Sequence, residues 1–472
     1  MFRRACTLRR VTVAPLMLSV SGLRGIVGAS MTPQTARRFA RAVATDLRVR
    51  QHPGRTVVIG RDGRGSGGEL AQGAIAELQE CGLDTMDLGI VATPTVSWMV
   101  RAQRAAAGLV ITASHNPIEW NGLKVIDSTG AAPGAEAAGR ISNWFNHENR
   151  DLTLGVPAGQ SLNGPDADAL HAAAVAAQID CAAVRRLMPR VILDSINGGG
   201  ARSGRLLLEK LGATVAQVNG EHTGSFAHTP EPLEANLTAL AESARNTRGL
   251  TAGFAQDPDA DRLAVLDEHG RYIGEECTLA LCAMRLLQRR GGGALATNLS
   301  TSRRIDDIAR RFPGSCVSRS AVGEANVVEA MRAGSAILGG EGNGGVIWPE
   351  ICWVRDSLSA MALILELLAT EGRPLSAIVA DLPSYAMVKR KISWAQLGGE
   401  EQIQPALTRV AAAFPGARVD RTDGLRVDLP EGWVHLRASN TEPIFRIIAE
   451  AATAAAANDL CDRCERVIGL AD

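Results

Sequence analysis

The sequence predicts an α/β protein built from several domains with mainly parallel sheets. At 472 residues, the chain is long enough for about three domains of ordinary size. Short apolar runs alternate with helical patterns through most of the chain, which is typical of strands joined by helices across a sheet. Several predicted strands also end in loops of small, polar or charged residues. We therefore expect units that share an architecture although their sequences hardly repeat.

The composition is that of a globular protein and excludes several classes of partner. Hydrophobic residues make up 46% of the chain and charged residues 21%. Because Lys+Arg and Asp+Glu are both 50, no overall charge attracts nucleic acid or an anionic membrane surface. No apolar run reaches the length of about 18 residues that a membrane-spanning helix needs. We expect neither nucleic acid nor membrane as a partner, and the sequence specifies no oligomeric state.

The cysteines and the first residues bear on where the protein works. The nine cysteines are odd in number and irregularly spaced, which argues against a disulfide framework and for a reducing, cytoplasmic location. Met1–Arg10 carries four arginines and no acidic residue, as a transit peptide would. An upstream false start, with translation beginning at Met17, accounts for the same residues equally well. Both explanations stay open.

The first unit begins with an extended segment over residues 18–29, broken by glycines around Arg24. A helix is predicted after Thr32–Pro33, a capping residue with proline in the first turn. Thr56–Ile59 is predicted as a strand, and the helix that follows it spans Glu69–Cys81. This order of extended segment, helix, strand and helix opens the α/β pattern.

A short apolar run at 108–111 predicts a buried strand end that leads into the stretch Thr112–Lys124. Because Pro117 disfavours a helix directly upstream, Ser114 and His115 are expected in a tight, exposed loop. A serine in such a loop usually caps a helix or closes a turn. Taken in isolation, this stretch favours that structural role.

The middle of the chain predicts two further units. Residues 150–166 lack periodicity and contain several glycines and prolines, which indicates a linker and a domain boundary. Gly253–Gln256 is predicted as a strand, and Leu263–Leu266 with Arg271–Ile273 as a hairpin. The strand predicted at Ala336–Leu338 ends in a glycine-rich loop.

The last, smaller unit contains a strand at Trp433–Leu436, a polar loop at Arg437–Pro443 and a strand at Ile444–Ile448. A helix closes the chain. It carries Cys461 and Cys464, which share a helix face but have no second cysteine pair to complete a zinc site. We interpret this pair as packing.

Three aspartates, Asp257, Asp259 and Asp261, stand at alternating positions after a predicted strand. A roughly extended loop can turn all three carboxylates toward one point. Ionised carboxylates at that distance repel one another unless a cation lies among them, and oxygen-only ligands favour a hard ion, above all Mg²⁺. The alternative is a solvated acidic turn, which a third aspartate with Arg262 directly behind it makes the weaker interpretation.

The last polar loop offers the groups that bind phosphate. Arg437, Ser439, Asn440 and Thr441 supply a guanidinium, two hydroxyls and an amide, and Arg446 follows in the next strand. An arginine can bind two phosphate oxygens while the loop supplies further donors. A Ser/Thr turn before a strand is an equally good interpretation of the loop alone.

Glu341 and Asn343 lie in the glycine-rich loop and offer an acceptor and a mixed donor and acceptor. Such a pair suits vicinal sugar hydroxyls, and glycine lets a ligand approach the backbone. Together with the carboxylates, the phosphate-binding loop and Ser114, these residues indicate phosphoryl transfer involving a sugar, in which the protein positions the reactants and stabilises charge.

The chain resembles the α-D-phosphohexomutase family over residues 17–472. Four motifs in family order carry the resemblance: Thr112–Pro117 with Asn121, Gly122 and Lys124; Asp257–Arg262; Glu341–Gly345; and Arg437–Pro443. The resemblance implies three similar α/β domains plus a smaller C-terminal α+β domain around a central cleft, the last acting as a mobile lid. We place these domains at 1–157, 158–270, 271–383 and 384–472.

The resemblance also implies the chemistry. Ser114 would carry a phosphate that moves to a free hydroxyl of a phosphorylated hexose, giving a bisphosphorylated sugar, and a sugar bisphosphate would serve as activator. Ser114, Asp257, Asp259 and Asp261 would bind Mg²⁺.

The remaining implied roles concern the transferred group and the substrate. Arg24 and Lys124 would stabilise the transferring phosphoryl group and help proton transfer, while His115 would act as acid or base or be purely structural. Substrate would be bound by Arg262, Glu341, Asn343, Arg437, Ser439, Asn440, Thr441 and Arg446.

Many relatives have serine and histidine where this chain has Asn343 and Gly345, so the choice of sugar stays open. We expect phosphoglucosamine mutase activity first and phosphomannomutase/phosphoglucomutase activity as the alternative. A phosphatase with Asp257 as nucleophile is a remote alternative, because its second acidic pair would be Asp306–Asp307, in a helical pattern. A non-catalytic sugar-phosphate sensor would not need Ser114 together with three aspartates.

Overall fold

The computed structural model describes residues 14–147, 157–439 and 444–470. They form four sheets, and α/β organisation is confirmed. Within the described residues, no single helix is long and apolar enough to cross a bilayer.

The first unit consists of a six-stranded sheet and four helices. Its elements are β1 (Leu16–Ser19), β2 (Gly22–Ile26), α1 (Pro33–Val49), β3 (Thr56–Arg61), α2 (Gly67–Glu80), β4 (Asp84–Ile90), α3 (Thr93–Ala102), β5 (Ala107–Ile111), β6 (Trp120–Asp127) and α4 (Ala135–Asn146). The strands lie in the order β1-β2-β6-β5-β3-β4. As predicted, α1 begins after Thr32, whose side chain accepts a hydrogen bond from the Thr35 N–H, with proline in the first turn.

The second sheet has four strands in the middle of the chain. Its elements are α5 (Ala167–Ala177), α6 (Cys181–Leu187), β7 (Arg190–Asp194), α7 (Ala201–Lys210), β8 (Thr214–Val218), α8 (Thr238–Arg245), β9 (Ala252–Gln256) and β10 (Leu263–Leu266). The predicted hairpin between β10 and 271–273 is confirmed only as a short antiparallel return: Tyr272 bridges Leu266, and the Ile273 N–H donates to the Val265 carbonyl oxygen at 3.1 Å. The partner of β10 along its whole length is β9.

The third sheet also has four strands. Its elements are α9 (Glu275–Arg290), β11 (Ala294–Asn298), α10 (Arg304–Arg310), β12 (Cys316–Ser320), α11 (Glu324–Gly334), β13 (Leu338–Glu341), β14 (Gly345–Ile347), α12 (Ser357–Glu371) and α13 (Leu375–Ala380). The strand predicted at 336–338 begins at Leu338 and continues through two glycines to Glu341. Glycine is favoured at position 339 inside the strand, because a Cβ there would lie 2.3 Å from the sulfur of Met331.

The C-terminal sheet is antiparallel throughout. Its elements are β15 (Ala386–Ser393), α14 (Trp394–Leu397), α15 (Ile403–Ala413), β16 (Arg418–Asp420), β17 (Leu425–Asp428), β18 (Gly432–Ala438), β19 (Ile444–Ala451) and α16 (Ala454–Ile468). On α16, Cys461 and Cys464 are unbridged and buried in the core, which confirms their interpretation as packing.

The first three sheets share one topology. Their repeated strand orders are β4-β3-β5-β6, β8-β7-β9-β10 and β12-β11-β13-β14. In each, three strands are parallel and the fourth runs antiparallel at one side. The prediction of mainly parallel sheets therefore holds only for these three strands of each sheet, because each functional loop returns the chain directly beside the strand it left.

Four loops follow from this arrangement, each between antiparallel neighbours. We call them the serine loop (112–119, between β5 and β6), the carboxylate loop (257–262, between β9 and β10), the glycine loop (341–345, joining β13 and β14) and the C-terminal loop (439–443, between β18 and β19).

One hydrophobic core continues through the first three units, with the buried residues Ser357–Leu368 of α12 at its centre. Three polar side chains from different units meet within it: the ring of His171 has Nδ1 3.0 Å from Thr95 Oγ1 and Nε2 3.4 Å from Asp356 Oδ2. Asp356 also caps α12, since its carboxylate accepts from the N–H groups of Leu358 and Ser359. The C-terminal sheet packs its own core against α15 and α16.

Candidate active site

Ser114 lies in the serine loop with a backbone φ of 51° and is 1% exposed. The prediction of an exposed loop is therefore wrong for this residue. Its Oγ donates to Asp257 Oδ2 at 3.1 Å and lies 3.3 Å from His115 Nδ1. The left-handed conformation is held by the Ser114 N–H, which donates to Thr112 Oγ1 at 2.8 Å. The serine hydroxyl is thus presented to the carboxylate loop rather than to solvent.

Arg64 holds the backbone of the serine loop in place, a role that the sequence reasoning missed. Its Nη2 donates to the carbonyl oxygens of Ser114 at 2.9 Å and Asn116 at 2.6 Å, and its Nη1 pairs with Asp62. Asp62 in turn accepts from Thr112 Oγ1 at 2.6 Å. The only sequence signal was an arginine in the glycine-rich turn after β3, which is typical of many turns.

The three carboxylates of Asp257, Asp259 and Asp261 converge as predicted. One oxygen from each lies within 4.8 Å of the others, and all three residues are buried. Burial, followed by the charges of Asp261 and Asp259, raises the pKa of Asp257 well above its ordinary value. Burial alone would raise the pKa of Asp261 too, but the charges of Arg355 and Lys124 lower it.

The donor set fits a hard divalent cation. Asp259 Oδ1 and Asp261 Oδ1 are buried atoms with no hydrogen-bond partner in the described part of the chain. Buried carboxylate oxygens in such a position are costly unless a cation or a donor is present. The other oxygens of these two residues, both Oδ2, already contact the positive charges of Lys124 or Arg355. The two Oδ1 atoms therefore suit an oxygen-ligated ion such as Mg²⁺.

Two basic side chains that the sequence analysis placed in the active site, Lys124 and Arg24, extend from the first sheet toward this cluster. Lys124 Nζ lies 2.6 Å from Asp259 Oδ2 and 3.0 Å from Asp261 Oδ2. Arg24 lies on β2 and donates to Asn116 Oδ1 at 2.7 Å. Arg24 reaches the serine loop because β2 pairs with β6 beside it, where a Cβ on Gly122 would lie 2.2 Å from the Leu23 carbonyl oxygen.

Arg262 and His115 lie beside the same cluster. The Arg262 N–H donates to Asp257 Oδ1 at 3.0 Å, and its Nε lies 3.8 Å from Asp261 Oδ1. The nearby Arg262 charge, together with burial and Arg24, lowers the pKa of His115 well below its ordinary value.

The glycine loop is joined to the carboxylate loop by Arg355, a second residue that sequence reasoning missed. Its guanidinium lies 2.6 Å from Asp261 Oδ2, 2.8 Å from Glu341 Oε2 and 3.1 Å from Glu324 Oε2. The other oxygen of Glu341 accepts from Asn298 Nδ2 at 2.8 Å. Glu341 is therefore held rigidly, while Asn343 Oδ1 accepts only from the backbone N–H of Gly345 among the hydrogen bonds described, at 3.2 Å.

A cleft of about 500 Å³ opens over these side chains. Its lining includes Arg24, Lys124, Arg262, Glu341, Asn343 and Arg355. Among the residues described by the structure, the lining comes from the first three units.

Described residues of the C-terminal unit, whose strands β18 and β19 flank the C-terminal loop, contact the third unit beside this cleft. Arg437 Nε donates to Asp423 Oδ2 at 2.8 Å, and the same oxygen accepts from the N–H of Val322, a cleft residue, at 3.0 Å. Arg446 is the cross-strand partner of Arg437, and the Ser439 N–H donates to the Ile444 carbonyl oxygen at 2.9 Å. Asn440 and Thr441 lie outside the described residues.

Family models match the chain in four consecutive segments. They are described as phosphoglucomutase/phosphomannomutase alpha/beta/alpha domains I (17–151), II (169–270) and III (275–385) and the C-terminal domain (401–467). The chain belongs to the phosphoglucomutase/phosphomannomutase family. It is therefore a phosphohexomutase, an isomerase that works by phosphotransfer, and the predicted family and four-part architecture are confirmed.

Relatives within this family carry more than one substrate name. The chain is 37% identical over 431 residues to a phosphoglucomutase/phosphomannomutase of Thermococcus kodakarensis, covering 91% of this chain and 93% of the relative. It is 35% identical over 447 residues to a probable phosphoglucosamine mutase of Methanopyrus kandleri, covering 94% and 95%. Among solved structures, a phosphoglucomutase/phosphomannomutase family protein from Burkholderia thailandensis superposes with a TM-score of 0.82 at 26% identity, covering 96% of this chain and 98% of that one.

Proposed function

We propose that the protein interconverts hexose 6-phosphate and hexose 1-phosphate through a phosphoserine at Ser114 and a bisphosphorylated sugar. The observation that carries the proposal is the buried Ser114 hydroxyl, 3.1 Å from Asp257 in a cluster of three carboxylates, two of which contact Lys124 in the lining of the cleft. A serine used only for capping has no need of such surroundings.

Each half of the cycle moves one phosphoryl group between two oxygens. The bond from phosphorus to Ser114 Oγ breaks, a bond to the free sugar hydroxyl forms, and the proton of that hydroxyl ends on Ser114 Oγ. The other phosphate of the bisphosphorylated sugar then returns to Ser114 by the reverse step. A sugar bisphosphate consequently serves as activator, because it recharges a serine that has lost its phosphate.

The residues around Ser114 stabilise the charge of the transferring group. Lys124 and Arg24 supply positive charge from the first sheet, in a site where burial makes such charge more effective than in water. When bound by Asp257, Asp259, Asp261 and the phosphorylated serine, Mg²⁺ would neutralise charge on the transferring phosphoryl group. Arg64 keeps the loop carbonyls, and hence the serine hydroxyl, in one position.

The C-terminal loop is proposed to hold the phosphate that does not react. Arg437 and Arg446 are directly opposite each other on β18 and β19, so both side chains lie on one face of the sheet. Two guanidinium groups on one face offer a phosphate several donors at once, in addition to the contact of Arg437 with Asp423. Ser439, Asn440 and Thr441 would add donors to the same phosphate.

We place hexosamine phosphates first among the substrates and mannose or glucose phosphates second. The cleft carries the carboxylate of Glu324 and the side chain of Asn343, whose oxygens can accept from an amino group on the sugar as well as from hydroxyls. The relative from Thermococcus kodakarensis named phosphoglucomutase/phosphomannomutase supports the second choice.

The test is a comparison of kcat/KM on the 1-phosphates of glucosamine, mannose and glucose, each with Mg²⁺ and the matching sugar bisphosphate. We expect isomerisation of at least one, with glucosamine phosphate fastest. Ser114→Ala should lower kcat by at least ~10³-fold, as loss of other catalytic groups does. Full activity of Ser114→Ala with an inactive Asp257→Ala, accompanied by release of inorganic phosphate, would point instead to a phosphatase.

A further inference from the structure

Arg355 lies in a rigid position between the end of the third sheet and the central helix. It directly precedes Asp356, which caps α12 and is fully buried. The Arg355 N–H donates to Glu324 Oε2 at 3.0 Å, so the backbone of this residue is fixed as well. The side chain is 11% exposed and lines the cleft.

The guanidinium bridges two functional loops that belong to different sheets. One edge contacts Asp261 of the carboxylate loop at 2.6 Å, and another contacts Glu341 of the glycine loop at 2.8 Å. The planar fork of arginine can satisfy carboxylates in two fixed directions at once, which the point charge of lysine cannot do. Arg355 therefore links the side chains of the two loops, in addition to the backbone hydrogen bond that the Leu263 N–H, just after the carboxylate loop, donates to the Gly344 carbonyl oxygen at 3.0 Å.

The space for this side chain exists because residue 345 is a glycine. A Cβ on Gly345 would lie 2.1 Å from Arg355 Cδ and 2.9 Å from its Cγ. These are atoms in the middle of a side chain that three carboxylates hold at its end, so it cannot simply move aside. Gly345 does not have a positive φ, so its backbone conformation alone does not call for glycine.

We propose that Arg355 is a positioning residue that holds the carboxylate of Asp261 at a fixed distance from the carboxylate of Glu341, and that its side chain requires glycine at position 345. The inference rests on the proposed function. If the Arg355 side chain is removed, Asp261 keeps its contact with Lys124, Glu341 keeps its contact with Asn298, and the backbone hydrogen bond from Leu263 to Gly344 remains. The carboxylates of Asp261 and Glu341, however, lose the partner that they share. Substrate can still enter the cleft, whereas the reacting hydroxyl is no longer held in line with the serine.

The first experiment is a double-mutant cycle with Gly345→Ala, Arg355→Ala and the double variant. We expect Gly345→Ala to lower kcat about 30-fold when Arg355 is present and less than about 3-fold when it is absent, because residues in contact are not additive. Gly334→Ala is the matched control, since a Cβ at that exposed position meets nothing within 4 Å. Equal factors in the two backgrounds would overturn the proposal.

The second experiment separates positioning from general stabilisation. Arg355→Lys keeps a positive charge, and we expect it to fold while losing at least about 10-fold in kcat with KM changed less than about 3-fold. Added guanidinium ion at millimolar concentration should recover part of the kcat of Arg355→Ala but none of the loss in Gly345→Ala. A wild-type kcat in Arg355→Lys would refute the role.

The cycle is also read without activity, from the midpoints of thermal unfolding of the four proteins. The proposal is supported if the shifts in midpoint caused by Gly345→Ala and Arg355→Ala are not additive while those of Gly334→Ala and Arg355→Ala are. Additive shifts at positions 345 and 355 overturn it. If the wild-type protein isomerises no hexose phosphate, the proposed function fails. If it does and the variants match it, only the inference about Arg355 fails.

Discussion

The two sides of the active site are built differently. On one side, the serine, carboxylate and glycine loops are joined by buried ion pairs, above all Lys124 with Asp259 and Arg355 with Asp261 and Glu341. Beneath them one hydrophobic core passes through three sheets. On the other side, the C-terminal sheet has its own core and meets the third unit through hydrogen bonds such as that between Asp423 and Val322.

This difference suggests a division of labour. Phosphoryl transfer needs its charged groups fixed beforehand, and a shared core with buried ion pairs fixes them. It also needs water excluded after the sugar enters, which a unit with a separate core can do by moving as a body. We therefore expect substitutions on the first side to act on kcat, and substitutions at the C-terminal contacts to act on KM.

The largest expected effect comes from Lys124→Met on the fixed side. The substitution leaves Asp259 and Asp261 buried without the ammonium that they share, and we expect kcat to fall by ~10³-fold. Lys210→Met is the control, because Lys210 is exposed on the last turn of α7. An unchanged kcat in Lys124→Met would remove the charge cluster from the mechanism.

The buried polar contact of His171 with Thr95 and Asp356, which joins the first three units, is tested by His171→Leu. It leaves the carboxylate of Asp356 and the hydroxyl of Thr95 without the ring that joins them, and loss of one partner from a buried polar network costs about 3 kcal/mol. We expect a fall of that size in the free energy of unfolding, measured with urea. The control is His269→Leu, at a side chain that is 61% exposed. A stability equal to wild type would mean that the apolar core alone joins the three units.

On the C-terminal side, His435 gives a pH-dependent contact. Burial lowers the pKa of His435 to about 4, with the charges of Arg426 and Arg437 acting in the same direction and Asp423 opposing them. Its Nε2 contacts the Asp423 carbonyl oxygen at 2.7 Å and therefore carries the proton, while Nδ1 accepts from Ser300 Oγ at 2.8 Å.

The sign of this dependence follows from the neutral ring of the folded state. Below an unfolded pKa of about 6.5 the unfolded chain binds a proton that the folded protein does not, so stability falls by about 1.4 kcal/mol per pH unit until pH approaches the folded value. Above it the contribution is fully present. His435→Asn should lose less stability than wild type between pH 7 and pH 5, as measured by urea unfolding, and parallel curves for the two proteins would contradict this.

The smallest expected effect comes from Asp423→Ala. It removes the carboxylate that contacts both Arg437 and the Val322 N–H, so Arg437, on the strand that leads into the C-terminal loop, loses this link to the cleft. We expect KM for the sugar phosphate to change about 5-fold and kcat less than about 2-fold. Asp459→Ala, at an exposed site on α16, is the control. A fall in kcat with KM unchanged would break the comparison between the two sides.

Sequence reasoning found the loops but not the residues that support them. Ser114, Lys124 and the aspartates were predicted because their residue types and spacing carry chemistry by themselves. Arg64 and Arg355 were missed because an arginine in a turn is ordinary and their partners are distant in the sequence. Ser114 is 50 positions from Arg64, and Asp261 is 94 positions from Arg355. The burial of Ser114 was missed for the same reason: the carboxylate loop that covers it comes from another sheet.

The sequence by itself determined the local chemistry of this protein: which strands end in polar loops, which of these can bind a cation, and that they occur in the order of the phosphohexomutase family. These features depend on neighbouring residues and on alternation along a strand. Only the tertiary structure decided that each loop returns beside its own strand, that three units share one core and the fourth does not, and that Arg355 occupies the space over Gly345. Those facts depend on contacts between residues far apart in the chain, which short-range patterning does not encode.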